Sequence, residues 1–482
     1  MTLRAEFRRN PLLWLSIFVP AVFIAEALTP DAPTMLFVVS VLAIVPLAAL
    51  LSHATESVAA RTGDTVGGLL NATLGNLTEL VIALAALRTG QYLLVKASIA
   101  GAIVTNSLFM LGASFFLGGL KHHVQEFNRI SARMQASLLF LATIALLVPT
   151  ALSTADAAPT SDVTHALSVG LSVLLMVSYV LGLLFSLGTH RELFVSAEHA
   201  SPEEPWPIAL ALGTLAAVTI LVALVSEIFV ESVQEAAEAF GMSPAFVGFI
   251  VVALVGGAAE MTSAFSGARK NRLDLSVGIA LGSASQIALF VAPVLVLLSY
   301  LIGPEPMDLH FWPGAVVMML VAALTASLVT NGGRSAWFLG VLVLMVYLIF
   351  AMTLYMLPPK DTRENHALHL QLKPALEEMG LTHHAEAIGR GVSVGHFQAH
   401  VVGEIPIHHR RNAPELTAGD GLAVQIDVSE MREDFPCPRT AGNNRTSRRD
   451  HIEVAAARVI RAPFSRDQPR HDDFTAVKQR VA

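Results

Sequence analysis

The chain of 482 residues reads as an all-α integral membrane protein: eleven transmembrane helices whose two halves carry an oppositely inserted repeat, then a soluble, largely disordered tail. Three observations predict this. Hydrophobic residues make up 54% of the chain and charged residues only 14%, against about 25% charged in an ordinary soluble protein. Eleven apolar runs approach the roughly 20 residues needed to cross a bilayer core. Two of those runs, the third and the eighth, each hold a carboxylate in a polar island: Glu79 in NATLGNLTEL and Glu260 in VVALVGGAAEMTSAF.

The first run, residues 11–28, follows Arg4, Arg8 and Arg9 as a signal-peptide core would. TPDAPT follows it in place of a small-residue cleavage site, so it reads as a retained helix. Further runs lie at about 34–53, 66–88, 93–118, 134–152 and 163–188. The polar, acidic loop 189–205, THRELFVSAEHASPEEP, then separates the halves. The remaining runs lie at about 206–230, 244–268, 275–301, 311–331 and 335–357.

Positive residues concentrate on the cytoplasmic side of a membrane protein, so the connecting loops test the count. With the N-terminus inside, the inside set is Arg4, Arg8, Arg9, Arg61, Lys121, Arg129, Arg133, Arg191, Arg269, Lys270, Arg272 and Arg334, and the outside set is Arg88 and Lys96. Miscounting one helix would scramble that sorting. Trp14, Trp206, Trp312 and Trp337 each open a span, where an amphipathic ring prefers the headgroup level. The expected location is a bacterial inner (plasma) membrane, with the N-terminus cytoplasmic and the tail outside.

Residues 358–482 change character. HALHLQLKPALEEMGL suits a short amphipathic helix, RTAGNNRTSRRDH reads as disordered, and ten of the seventeen histidines fall here without a recurring ligand spacing. A single cysteine, Cys437, excludes an internal disulfide framework and a Cys-based metal cage. The net charge of −7 forms no basic, aromatic-interleaved patch, so no nucleic-acid partner is expected. The lipid bilayer is an expected partner; the oligomeric state stays open, a homo-oligomer included.

A charge at membrane mid-depth costs about 2.5–3.5 kcal/mol on insertion scales, so such a residue generally serves a function. When Glu79 is aligned with Glu260, other residues fall into register. Gly101 and Gly282 each lie 22 residues after their glutamate, with Asn106 at 27 and Gln286 at 26. Upstream, Glu56 precedes the first island and Glu227 and Glu231 the second. The islands lie five crossings apart, and an odd number inserts the copies in opposite senses. Inverted repeats of this kind place substrate sites near the midplane, where Gly-interrupted helices expose backbone carbonyls.

Asn76 and Glu79 are three residues apart and share a helix face. Calcium takes six to eight oxygens, and two glutamates neutralise one divalent cation. Asn76, Thr78, Asn106, Ser283, Ser285 and Gln286 offer neutral oxygens. With Met261 the only soft ligand nearby, Cu(I) and Zn are disfavoured. Left ionised and empty, the two acids are uncompensated charges in a low-dielectric place. One divalent cation or about two protons satisfies them, but not both at once. Such exclusive occupancy, alternately open to each side, is what antiport requires, with Glu56, Glu227 and Glu231 as candidates for the entry paths. No cofactor is expected, Ca²⁺ being cargo.

Each island has a plainer alternative. A lone intramembrane carboxylate can pair with a neighbouring helix, and Gly67, Gly68, Gly75, Gly256 and Gly257 can serve close packing as well as helix interruption. Two matched islands favour transport. Coupling to Na⁺ or K⁺ instead of H⁺ is the competing transport reading. An enzyme is disfavoured because no Ser/His, Asp/Asp or HExxH-type constellation occupies the spans.

GDTVGGLLNATLGNLTELVIALAAL and VGFIVVALVGGAAEMTSAFSGARKNRLDLSVGIALGSASQIALFVAPVLV resemble the two signature repeats of the Ca²⁺/H⁺ exchangers within the cation/Ca²⁺ exchanger superfamily. The resemblance covers roughly residues 34–357. It implies one leading helix (1–33), two inverted five-helix repeats (34–188 and 206–357) around an acidic linker (189–205), and an unrelated tail (358–482). It also implies Ca²⁺ ligation by Glu79 and Glu260, with Asn106 and Gln286 lining the pathway. One departure stands out: Gly257 and Met261 occupy places where the family motif G-N-A-A-E-H carries Asn and His, so Asn76 lacks a counterpart amide in the second repeat.

Overall fold

The computed structural model describes residues 11–62, 64–153, 161–190, 205–356, 399–401 and 424–426. Apolar runs this long become helices because only a helix satisfies every backbone N–H and C=O within its own segment when water is absent. A 3₁₀ segment, Pro11–Ile17, leads into α1 (Phe18–Leu28). The first half continues with α2 (Pro33–Arg61), α3 (Asp64–Leu74), α4 (Leu77–Arg88), α5 (Tyr92–His122), α6 (Arg129–Ser153) and α7 (Ser161–Leu183). The second contains α8 (Ile208–Ala239), α9 (Pro244–Gly256), α10 (Ala258–Arg269), α11 (Leu273–Ile302), α12 (Pro313–Thr330) and α13 (Trp337–Met356).

Among the described residues nine helices are long and apolar enough to cross a bilayer, and ten if the bent pair α9–α10 is one span. The eleventh expected span corresponds to the leading segment, whose apolar helix Leu12–Leu28 is shorter. Many large apolar side chains stay exposed, as on α13, where Phe338, Leu342, Met345, Ile349, Met352 and Met356 form one stripe. A stripe of that size is a lipid-facing surface. The interior is packed by small residues: Ala43, Ala54, Ala97, Ala100, Ala264, Ala280, Ala284 and Ala288 are nearly or wholly buried. Such residues let membrane helices approach closely.

The long helices α2 and α8 pack along one another, α5 packs against α9 and α13, and α6 against α12, so each half is held by the other. The loops are not wholly irregular: β1 (Val124–Glu126) pairs antiparallel with β2 (Arg334–Ala336), in register Gln125↔Ser335. Trp206 at the start of its span is fully buried and stacks on His53 with centroids 4.5 Å apart. Its ring fills the gap between α2 and the start of α8, a packing role that hydropathy does not distinguish from an interfacial one. In the tail, β3 (Ala399–Val401) pairs antiparallel with β4 (Val424–Ile426). The amphipathic and disordered segments expected of the tail lie outside the described residues.

Candidate cation site

Both polar islands break their helices at matching places. Gly75 and Asn76 interrupt the third run between α3 and α4, and Asn76 is the residue capping the start of α4. In the second island Gly257 occupies that same cap position before α10, with the chain bent by 58°. Glu79 and Glu260 therefore each lie in the first turn of a helix. Free backbone N–H groups and the positive dipole end favour negative charge there. Glycine at 75 and 257 thus accompanies interruption, whereas Gly67 and Gly68 lie tight against the Ala59 backbone and the Leu187 side chain and serve packing.

The breaks bring residues from the two halves together. Asn76 Nδ2 donates to Gln286 Oε1 (2.7 Å), and Ser283 Oγ donates to Asn76 Oδ1 (2.7 Å). Asn106 Nδ2 in turn donates to Ser283 Oγ (2.8 Å). A Cβ added at Gly256 would stand 3.1 Å from Glu79 Cγ and 3.3 Å from its Oε1, so the first glutamate rests against the second repeat's glycine pair. Glu260 adjoins Ser283 and lies within electrostatic reach of Glu79 and of Glu56. Two carboxylates thus share one neighbourhood with three amides and a hydroxyl. Among the described residues no group of three His, Cys, Asp or Glu converges as a metal cluster, so any hard cation here would draw on the two acids and neutral oxygens.

The helices carrying the amides are locally widened. Asn106 lies in a π-helical segment, Thr105–Met110, and Gln286 immediately precedes another, Ile287–Val291. Such bulges re-aim side chains and recur at functional sites.

The remaining predicted residues lie further out. Glu56 is exposed near the C-terminal end of α2, within electrostatic reach of Glu260. Glu227 on α8 is held by Arg88 at the end of α4 (2.6 Å), and Glu231, one turn on, is exposed. Asn71 is exposed as well, off the face that carries Glu79.

A model of the family described as sodium/calcium exchanger protein matches residues 32–188 and 210–356. The chain belongs to that family. Exchanger relatives include the Ca(2+)/H(+) antiporter of Synechocystis sp., 41% identical over 363 residues, covering 72% of this chain and 97% of that protein. The Ca(2+)/H(+) antiporter ChaA of Bacillus subtilis is 42% identical over 327 residues, covering 67% and 92%. The solved structure of native YfkE matches with TM-score 0.62 at 38% identity, over 71% of this chain and 98% of that one. The H+/Ca2+ exchanger CAX, at 17% identity and TM-score 0.57, shares the fold.

One residue of this exchanger chain escaped the sequence reading. Where α3 ends, Tyr179 from α7 donates its hydroxyl to the Ala72 carbonyl (2.6 Å) and stacks on Phe290. A carbonyl one turn before a helix break has lost its usual partner, and the buried phenol supplies it. A polar-tipped ring in the middle of an apolar span was the available signal.

Proposed function

We propose that the chain is a secondary-active antiporter that exchanges Ca²⁺ for H⁺ at a midplane site formed by Glu79 and Glu260. The observation that carries this is the meeting, across the two repeats, of two first-turn glutamates with the Asn76–Ser283–Asn106 and Asn76–Gln286 hydrogen bonds. Two half-buried carboxylates within electrostatic reach of one another require compensation, which one divalent cation or protons can each supply. Binding one therefore expels the other. The amides hold the acid-bearing helix ends at fixed positions and offer neutral oxygens.

Alternating access then consists of opening this site to each side in turn, within eleven spans whose N-terminus faces the cytoplasm of a bacterial inner membrane. Glu56 on the inner side and Glu227 and Glu231 on the outer side mark the approaches. The relatives named as Ca²⁺/H⁺ antiporters support the choice of ions. Uptake of ⁴⁵Ca²⁺ into everted vesicles under an imposed pH gradient, without Na⁺ or K⁺, tests it. Wild type should accumulate Ca²⁺, and Glu79→Gln and Glu260→Gln should each lose at least tenfold in rate. Uptake that demands Na⁺ or K⁺ overturns proton coupling, and full activity in both variants overturns the site.

A further inference from the structure

The two halves of the site are not equivalent, and one difference falls on the residue that caps the acid-bearing helix. Three residues before each glutamate stands the helix-capping residue: Asn76 in the first repeat and Gly257 in the second. Asn76 ties its amide to Gln286 and Ser283 of the opposite repeat. No side chain does the same at 257. Asn106 is 1% exposed, and its Oδ1 has no hydrogen-bond partner among the described residues, although its Nδ2 is bonded to Ser283. That orphaned oxygen lies 3.5 Å from where a Cβ at Gly257 would be. Glu260 Oε2, one turn along the same helix, is likewise buried and unpartnered among the described residues. An unpaired buried acceptor costs about 1–3 kcal/mol, so two on residues that both adjoin Ser283 indicate a ligand.

Backbone conformation does not demand glycine here. Gly257 adopts φ −80° and ψ 6°, which any residue can take. Nor does crowding demand it. The nearest atoms to an added Cβ are the Ala253 carbonyl oxygen at 3.2 Å and the Met261 methyl at 3.4 Å, so small adjustments would admit one. What the glycine does is leave side-chain space directly before the free Asn106 oxygen.

We propose that Gly257 is a specificity-determining position: the space between it and Asn106 Oδ1 lets the site accept large divalent cations, and an amide side chain at 257 would close it. This rests on the two-glutamate site proposed above. Choice among divalent cations follows from cavity size, ligand number and ligand flexibility. A site with two carboxylates, one unpartnered amide oxygen and no side chain at 257 suits ions larger than Ca²⁺, such as Sr²⁺ and Ba²⁺. Filling that room with Asn would pair Asn106 Oδ1, remove a free ligand and narrow the site towards smaller ions such as Mn²⁺.

The test is cation-dependent thermal stabilisation of the purified full chain, titrated with Ca²⁺, Ba²⁺ and Mn²⁺ for wild type, Gly257→Ala and Gly257→Asn. Stabilisation reports binding whatever the coupling ion. In wild type, Ba²⁺ should half-saturate within about tenfold of Ca²⁺. Gly257→Asn should weaken Ba²⁺ by at least tenfold more than Ca²⁺, improve Mn²⁺ relative to both, and Gly257→Ala should fall between. Equal ion ratios in all three proteins overturn the proposal. Should Gly257→Asn not fold, Gly257→Ala, whose single Cβ fits, decides alone by the same ratio. Divalent stabilisation that survives in Glu260→Gln sinks the two-glutamate site, and with it this role for Gly257. Stabilisation lost in Glu260→Gln without proton-driven uptake in wild type sinks only the coupling ion.

Discussion

Gly101 and Gly282 occupy matching places 22 residues after their glutamates, yet the structure predicts opposite outcomes for the same substitution. In Gly101→Ala the new Cβ would fall within 3.0 Å of the carbonyl oxygen, Cα and C of Phe249, all backbone atoms of the facing helix α9. Ordinary contact begins near 3.4 Å, so α5 and α9 must separate by about 1 Å, an overpacking cost of about 1–3 kcal/mol. Asn106 lies little more than a turn further along α5, bonded to Ser283 at 2.8 Å. A shift of about 1 Å there breaks that bond, and displacements of this size cost functional sites up to about 100-fold. In Gly282→Ala the nearest atom is Gln135 Oε1 at 3.5 Å, ordinary contact. Thermal melting in detergent and initial ⁴⁵Ca²⁺ uptake rates should show a lowered midpoint and a slow exchanger for Gly101→Ala, and near wild-type behaviour for Gly282→Ala. Equal effects of the two substitutions would refute the packing argument.

Two further outcomes follow from contacts away from the acids. Tyr179→Phe removes the donor to the Ala72 carbonyl and should destabilise the chain by about 1–3 kcal/mol, read as a lowered melting midpoint while Tyr179→Trp shows no recovery; an unchanged midpoint for Tyr179→Phe would mean the carbonyl finds another donor. In the loop after α11, burial opposes ionisation of Asp308, but the charge and hydrogen bond of Lys96 outweigh it and hold the carboxyl below its usual range. A depressed carboxylate contributes stability above its unfolded value and loses it as pH falls through the folded one. Asp308→Asn should therefore lower the midpoint at neutral pH by the equivalent of about 1.5–3 kcal/mol, with the gap from wild type closing below about pH 4. A gap independent of pH would exclude the ion pair as its source.

The sequence by itself determined that the chain lives in a membrane, that Glu79 and Glu260 are related positions, and that Gly257 breaks the relation. These are local or repeat-based signals: apolar run length, the cost of an intramembrane acid, and matched offsets. Tertiary structure alone decided that Asn76 reaches Ser283 and Gln286 some 210 residues away, that Asn106 keeps a free oxygen, and that Trp206 is interior. It also separated Gly101, pressed on a neighbouring backbone, from Gly282, which is not. The physical reason lies in the solvent. A soluble helix marks its buried face by polarity, but lipid tails are as apolar as a protein interior, so hydropathy along these spans does not say which face meets a helix and which meets lipid. Only the few polar residues carry that information, and their partners are fixed by packing.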